Sequence, residues 1–513
     1  MKRFSLMLML AIMMVSSAVF AGSVDYLVNQ SAKFVMTFSR NASTEASADL
    51  ANYNPAGTAF LAPGLYLDLS NQFLFKPYKQ DYTVNTVHAL PTMSATYADE
   101  SVEQSEPTLL LPNLYAVYNF GEMGPGKLAA YLHAGITAGG GTLKWDDGTA
   151  GTFMAGAGIY STLVSQRYKG AGTLGLAGFG AAAAFVQGQL GGGPEKSTSS
   201  IEATSVYYGI NVGVAYSFLD DMMSASVGGR VLMPKREIKV AVDYPNIGGS
   251  ADIEYDATGF APIIGFDLKP LKELVVSLRY EFETELEFEY TIKERSSNAN
   301  TINLGSGPID GKYLVHNVLT KIGYEDGMKM NYNLPAVFAF GAEYQVMPEL
   351  AVMVSLNMYF LSQADMGKVT NSVTGKSKDT ADYFGTGWEA SIGAKYKVLP
   401  ELTVGAGFIY TYMGAKDEYF EDLGPILNCS SNPPLDSYTI GLGVTYDVMP
   451  GLDVTLAGSW THYLPKSYEF VASPAEDINP TAPGTAFSPE TVIKGEYKKD
   501  VYNIALGVSY KAF

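Results

Sequence analysis

From Leu274 to Ile292 the side chains alternate. Leu274, Val276, Leu278, Tyr280, Phe282, Leu286, Phe288, Tyr290 and Ile292 take one face, and Ser277, Arg279, Glu281, Glu283, Glu285, Glu287 and Glu289 take the other. A period of two places successive side chains on opposite faces of a strand. The pattern predicts one strand over 273–293, far longer than the roughly 5–6 residues of an ordinary strand. A tilted strand crossing a bilayer needs about 9–11 residues, and barrel strands often project beyond it.

The alternation recurs along the chain. Tyr438, Ile440, Leu442, Val444 and Tyr446 alternate with Thr439, Gly441, Gly443 and Thr445. Leu402 to Tyr412 and Tyr502 to Tyr510 repeat it. One face is apolar with aromatics near its ends, as a lipid-facing wall with interfacial girdles requires; the other is small or polar, as a barrel interior requires. Strands are expected near 64–75, 108–120, 127–138, 203–218, 222–244, 251–268, 273–293, 325–346, 349–364, 382–398, 401–416, 435–448, 451–466 and 499–513.

The connections alternate as well. Pro270, Pro348, Pro400 and Pro450 each sit in a short link, and 121–126 and 219–222 make two more. Proline presets a turn and cannot continue a ladder. Longer polar links fall at about 76–107, 139–202, 245–250, 294–324, 365–381, 417–434 and 467–498. Short turns at one end and long loops at the other, with an even strand count, are the outer-membrane arrangement. The expected fold is therefore all-β: a 14-stranded antiparallel transmembrane β-barrel spanning 64–513. The competing soluble β-sandwich or repeat protein would expose large apolar patches to water.

Composition narrows the function classes. Charged residues are 17 % of the 513, against about 25 % in a soluble protein. The net charge is −18, which disfavours nucleic acid as a partner. Cys429 is the only cysteine, which rules out a disulfide scaffold and a cysteine-rich metal site. The 4 histidines form no motif with a nucleophile, and no phosphate-binding glycine loop is present. No catalytic residue, metal site or cofactor is assigned, and the protein is not expected to be an enzyme.

Residues 1–21 have the layout of a secretory signal peptide. Lys2 and Arg3 precede an apolar run from Phe4 to Val15, then small residues and Val19-Phe20-Ala21. That run is short for a membrane anchor, and no later window is long and apolar enough to span as a helix. The mature chain is expected to begin near Gly22.

Residues 22–63 do not alternate. Their apolar residues are spaced more like short helices, and a segment at the periplasmic end of a barrel can enter the lumen as a plug. It carries Asn54-Pro55-Ala56-Gly57 just before the first strand. With this placement the chain resembles the FadL/TodX family of outer-membrane transporters for long-chain fatty acids and other hydrophobic compounds. In that family an N-terminal hatch carries Asn-Pro-Ala ahead of fourteen strands. Leu111 to Tyr118, Gly259 to Tyr280, and Leu334-Pro335 followed by Gly341-Ala342-Glu343-Tyr344 resemble other stretches of the family.

The resemblance implies more. Family members have an inward-kinked third strand that opens a gap in the wall for lateral release of ligand into the membrane. His133, Gly135, Gly139, Gly140 and Gly141 are the candidates for such a kink here, although Gly139 to Gly141 also fit the start of an outer loop. Phe179, Phe185 and Val186, in an apolar stretch of the long link 139–202, are candidates for the groove that first takes up ligand, or for a loop packed over the mouth. Arg230 and Arg279 fall on inward faces, as does His133. Both arginines are candidates for an anionic head group or structural partners of lumenal carboxylates.

The resulting expectation is a passive, monomeric transporter in the bacterial outer membrane, in contact with its lipid and lipopolysaccharide. Its ligands would be hydrophobic small molecules, either fatty acids or aromatic hydrocarbons. Two alternatives stay open: a general diffusion porin with a water-filled lumen, and an adhesin whose barrel only displays loops.

Overall fold

The computed structural model describes residues 31–87, 95–170, 176–305, 307–321, 324–370, 377–423, 432–472 and 490–512. The expected leader 1–21, the first residues of the expected hatch, Cys429 and Phe513 lie outside the described residues.

Fourteen strands form a closed ring: β1 (Gly64–Phe75), β2 (Asn113–Glu122), β3 (Lys127–Trp145), β4 (Thr198–Phe218), β5 (Met223–Tyr244), β6 (Gly259–Leu271), β7 (Leu274–Glu281), β8 (Val337–Met347), β9 (Leu350–Tyr359), β10 (Gly387–Leu399), β11 (Leu402–Tyr412), β12 (Ser437–Met449), β13 (Leu452–Tyr463) and β14 (Glu490–Ala512). Each pairs antiparallel with the next. β14 returns to β1, with Ala512 opposite Leu65 and Tyr502 opposite Phe75, so the barrel leaves no open edge. Six short turns at one end alternate with seven longer connections at the other.

Sidedness follows the sequence pattern. On β14, Tyr502, Ile504, Leu506, Val508 and Tyr510 are exposed, while Asn503, Ala505 and Ser509 are buried. On β12, Ile440, Leu442, Val444 and Tyr446 are exposed and Thr439 and Thr445 buried. The apolar wall faces outward because lipid is its solvent. Aromatics form two belts on this wall, one through Trp388, Tyr412, Tyr438 and Trp460, and the other through Tyr344, Tyr396, Tyr446 and Tyr510. Tyr438 and Tyr446 share one strand, about 26 Å apart at 3.3 Å per residue, close to the apolar band of an outer-membrane barrel.

The structure departs from the expected strand bounds where a strand leaves the wall. The alternation over 273–293 runs through two elements. β7 ends at Glu281, an irregular stretch follows, and a separate strand covers Glu287–Ser296. Below the break Leu278 faces lipid; above it Leu286, Phe288 and Tyr290 are buried in an aromatic core over the barrel mouth. The pattern persists because both environments are apolar. The acidic row does not share one environment either. Glu281 is buried, whereas Glu285, Glu287 and Glu289 are exposed. β8 is likewise shorter than 325–346 and β2 starts at Asn113. β3 is longer than 127–138 and continues through Gly139–Gly141 to Trp145.

The outer connections form their own layer. Strands at 78–87, 95–103 and 466–472 join the upper part of β14 in a second sheet. Helices α1 (Ala150–Gly170) and α2 (Leu176–Leu190) lie within the β3–β4 connection. Among the described residues no helix is long and apolar enough to cross a membrane.

Candidate functional site

Residues 31–63 lie inside the ring and are almost wholly buried. A six-residue helix, Ala32–Thr37, is capped by Ser31, whose Oγ accepts from Phe34 N. It packs against β11, β12 and β13. Phe34, Val35, Met36 and Phe38 form a small core with Ile409, Ala457 and Ala505 from the inner wall. The inward glycines explain how backbone can approach backbone here: a Cβ on Gly407 would fall on the carbonyl oxygen of Thr37.

Polar contacts then fix the segment in place. Arg40 is fully buried, with Nη2 2.6 Å from Asp49 and Nη1 3.0 Å from Glu45. Glu45 also meets Lys395 of β10 at 2.9 Å, and Lys33 reaches Asp453 of β13 at 3.1 Å. Partial burial alone would raise the Glu45 carboxyl, but Lys395, Lys33 and Arg40 hold it well below the usual carboxylate range. On β9, the neighbour of β10, the Ser355 hydroxyl lies 2.8 Å from that of Ser39, and Asn41 Nδ2 donates to Asn357 at 2.9 Å.

Each residue of Asn54-Pro55-Ala56-Gly57 has a visible task. Asn54 Nδ2 donates to Asp267 of β6 at 2.8 Å and to the Ser43 carbonyl at 2.9 Å. Asn54 Oδ1 accepts from Ser277 of β7 at 3.1 Å. Pro55 begins a 3₁₀ turn over Ala56–Phe60, and the Ala56 carbonyl accepts from Ser224 of β5 at 2.9 Å. Gly57 leaves room for the Asn54 amide, which a Cβ would strike. The motif is a rivet between the segment and three consecutive strands.

Both candidate arginines point inward. Arg230 Nη2 lies 2.7 Å and Arg279 Nη2 3.2 Å from the buried carboxylate of Glu281. Arg230 Nε also donates to Asn211 at 2.8 Å, and Arg279 donates to the Asn52 and Tyr53 carbonyls. Two guanidiniums thus share one carboxylate. With Asn52, Thr137, Ala138, Leu334, Val337 and Tyr359 they line a cavity of about 90 Å³ above the N-terminal segment. Small-molecule sites usually reach roughly 300–1,000 Å³, so this one holds no long acyl chain as it stands.

The third strand is irregular where the candidates cluster. His133 is buried, stacked on Tyr115 at 4.7 Å, with Nε2 3.1 Å from Asn113 Oδ1. Gly135 faces Asn113, where the pairing of β2 with β3 ends. Beyond it the β3–β4 register slips twice, between Ile136 and Ala138 and between Ala138 and Gly141. Gly139 and Gly141 take φ of +89° and +74°, which side chains with a Cβ rarely adopt. Three residues absent from the sequence reading complete this region. Lys76, buried, donates to the Gly140 and Thr142 carbonyls at 2.9 and 2.6 Å and to Thr108 Oγ1 at 2.8 Å. Leu109 and Leu110 are exposed beside the interruption. Lys76 carried no signal in sequence, since its partners Thr108, Gly140 and Thr142 come from two distant segments.

The loop candidates are placed differently from one another. Val186 of α2 is fully buried, and Phe185 is half-buried with the Arg167 guanidinium 4.3 Å from its ring centre. Phe179 lies on α2, but its side chain is outside the described residues. Among the described residues no group of His, Cys, Asp and Glu could hold a metal ion.

Comparison with known proteins adds the following. A model of the family described as outer membrane protein transport protein (OMPP1/FadL/TodX) matches residues 12–511. A crystal structure of a Pseudomonas aeruginosa FadL homologue is 13 % identical, with 93 % of this chain and 98 % of that one covered, at a TM-score of 0.57. The P. putida toluene transporter TodX is also 13 % identical, with 91 % and 94 % covered, at 0.51. At this identity the two likenesses speak for the fold alone. No curated protein sequence matches the chain.

Proposed function

The chain belongs to the OMPP1/FadL/TodX family of outer membrane transport proteins; it is a β-barrel transport channel for hydrophobic compounds, not an enzyme, and from that premise we propose that it carries long-chain fatty acids passively by a hatch-gated route. The observation that carries this reading is the lumen filled by 31–63 beside a wall that loses regular pairing at β3.

The physical need is clear. Each buried methylene moved into water costs about 0.8 kcal/mol, so a watery pore serves an oily solute poorly. Ligand collects first on the apolar outer layer around α2, with Phe179, Phe185 and Val186 in that region. It then passes to the lumen, where Arg230, Arg279 and Glu281 carry one net positive charge for an anionic head. The cavity there is small, so its filling requires the hatch, 22–63, to move. Release follows sideways, between the stretch bearing Leu109 and Leu110 and the bulges at 136–141. The bilayer receives the ligand, and bulk water is avoided. The gradient supplies the driving force. The protein acts as a monomer in contact with outer-membrane lipid and lipopolysaccharide.

The test is radiolabelled oleate uptake by cells lacking their own transporter, expressing either the intact protein or a 22–63 deletion, with planar-bilayer conductance of both. Oleate uptake with negligible conductance, and conductance appearing on deletion, is expected. High conductance of the intact protein without oleate uptake would favour a diffusion porin. Partner binding that depends on the outer loops, with no uptake, would favour an adhesin. A plugged lumen suits neither alternative.

A further inference from the structure

Arg236 of β5 occupies an unusual setting outside the lumenal cavity. It lies just above the stretch of β5 that pairs with β6, where β5 pairs instead with the strand Ile247–Asp256. The residue is 4 % exposed. Its guanidinium carbon lies 4.9 Å from the ring centre of Tyr255, 5.5 Å from Phe288 and 5.8 Å from Tyr332. Ser205 and Tyr255 stand directly opposite Arg236 on its two neighbouring strands, and Tyr290 stands opposite Tyr255. The result is a guanidinium enclosed by aromatic rings on the inner face of the outer layer.

Two of its three nitrogens make no hydrogen bond. Both Nε and Nη2 are buried without a partner, and so are the adjacent Ser205 and Tyr207 hydroxyls. Among the described residues no carboxylate pairs with this cation. Ring faces attract the charge but accept no hydrogen bond in the guanidinium plane. Arg230 and Arg279, by contrast, share Glu281. A buried, unpaired charge is costly to keep unless something outside the chain completes it.

Nε and Nη2 together form the side-on fork that matches the two oxygens of a carboxylate. We infer that Arg236 and its aromatic cage are an outer binding site for the carboxylate head of an amphipathic ligand, which separates acids from neutral hydrocarbons before the lumen is reached. The inference rests on the transport reading above. The cage adjoins the lumenal cavity: Tyr207 pairs with Ala138, and Tyr332 is two residues from Leu334, both of which line it. Ser205 also stands opposite Gly141, at the second slip of β3. A hydrocarbon offers no acceptor and would leave the fork unfilled. A fatty alcohol offers one oxygen without charge.

The test is equilibrium binding of radiolabelled oleate, oleyl alcohol and toluene to the full protein in nanodiscs, with empty nanodiscs subtracted, for wild type, Arg236→Gln and Arg236→Lys. Assembly of each variant is checked by heat-dependent gel mobility. Arg236→Gln is expected to weaken oleate binding roughly tenfold to a hundredfold while oleyl alcohol binds as before. Arg236→Lys, which keeps charge without the fork, falls between, and it carries the comparison should the Gln variant not assemble. Equal loss for both ligands would make Arg236 a structural residue and overturn the inference, as would unchanged oleate binding, which points to water as the missing partner. A wild type that takes oleyl alcohol and toluene but not oleate overturns the carboxylate site and leaves hydrophobic transport standing. A wild type that binds none of the three overturns both.

Discussion

Asn54 Nδ2 donates to the buried Asp267 across 2.8 Å, joining residues 213 apart in sequence. This bond fastens the N-terminal segment to β6, and Ser277 donates from β7 to the other end of the same amide. On the proposed hatch-gated route, the strength of that fastening would set how readily the lumen opens.

Asn54→Ala leaves Asp267, Ser277 and Ser43 short of a partner each. Loss of a bond to a buried group costs about 1–3 kcal/mol. The hatch should therefore exchange amide hydrogens faster over 31–63, and bilayer conductance should rise above wild type. Unchanged exchange over that segment would mean that other contacts hold it alone.

Gly407→Val places a side chain on the Thr37 carbonyl, where neither backbone can yield. The expected result is displacement of the helix Ala32–Thr37, seen as protease sensitivity in the hatch. Gly458→Val on β13 is the control, because its Cβ meets only Asn503 O at 3.6 Å. Surface changes of that kind usually stay within about 0.5 kcal/mol.

Glu45 gives the pH dependence. Its folded carboxyl titrates well below the usual range, whereas the unfolded chain protonates near 4.3. The charge contributes fully above about pH 4.5, and the contribution drains away as pH falls through the lowered folded value. The Glu45 part, read as the difference in hydrogen exchange over 31–63 between wild type and Glu45→Gln at each pH, should be constant from pH 7 to 5 and should shrink below pH 4.5. Glu45→Gln should show raised exchange already at pH 7, without the acid step attributable to this group.

The third strand yields a separate expectation. Lys76→Met frees the Gly140 and Thr142 carbonyls, and Gly141→Val forces a β-branched residue to a φ of +74°. Strain of that kind costs about 1–3 kcal/mol. Both variants should still insert as heat-modifiable barrels, yet oleate uptake should fall several-fold. Uptake at the wild-type rate in Gly141→Val would remove the bulges from the release route.

Much of this architecture was legible in the sequence. Tyr502 to Tyr510 announce a lipid-facing wall because an apolar solvent outside inverts the usual rule, and the proline turns mark the other end of each hairpin. Asn54 to Gly57 stood out through their place just before the first strand and their likeness to a family motif, whereas the strands they fasten to could not be read. Other features depend on contacts that local periodicity does not carry. Leu278 and Phe288 share one alternating face but meet different surroundings, so the break after Glu281 left no trace. The bulges at 136–141 ended the alternation early and made β3 look shorter than it is. Lys76, Asp267 and the cage around Arg236 depend on partners brought together only by closure of the ring.

Movement of the hatch is the central claim, and a reversible lock tests it most directly. The Ser39 and Ser355 hydroxyls lie 2.8 Å apart, one on the N-terminal segment and one on β9. Ser39→Cys with Ser355→Cys, in a Cys429→Ser background, should form a disulfide across that contact. Oleate uptake should be lost in the oxidised protein and return on reduction, with either single cysteine variant unaffected. Uptake at the wild-type rate by the fully oxidised protein would contradict the account, because ligand would then pass a hatch that cannot move.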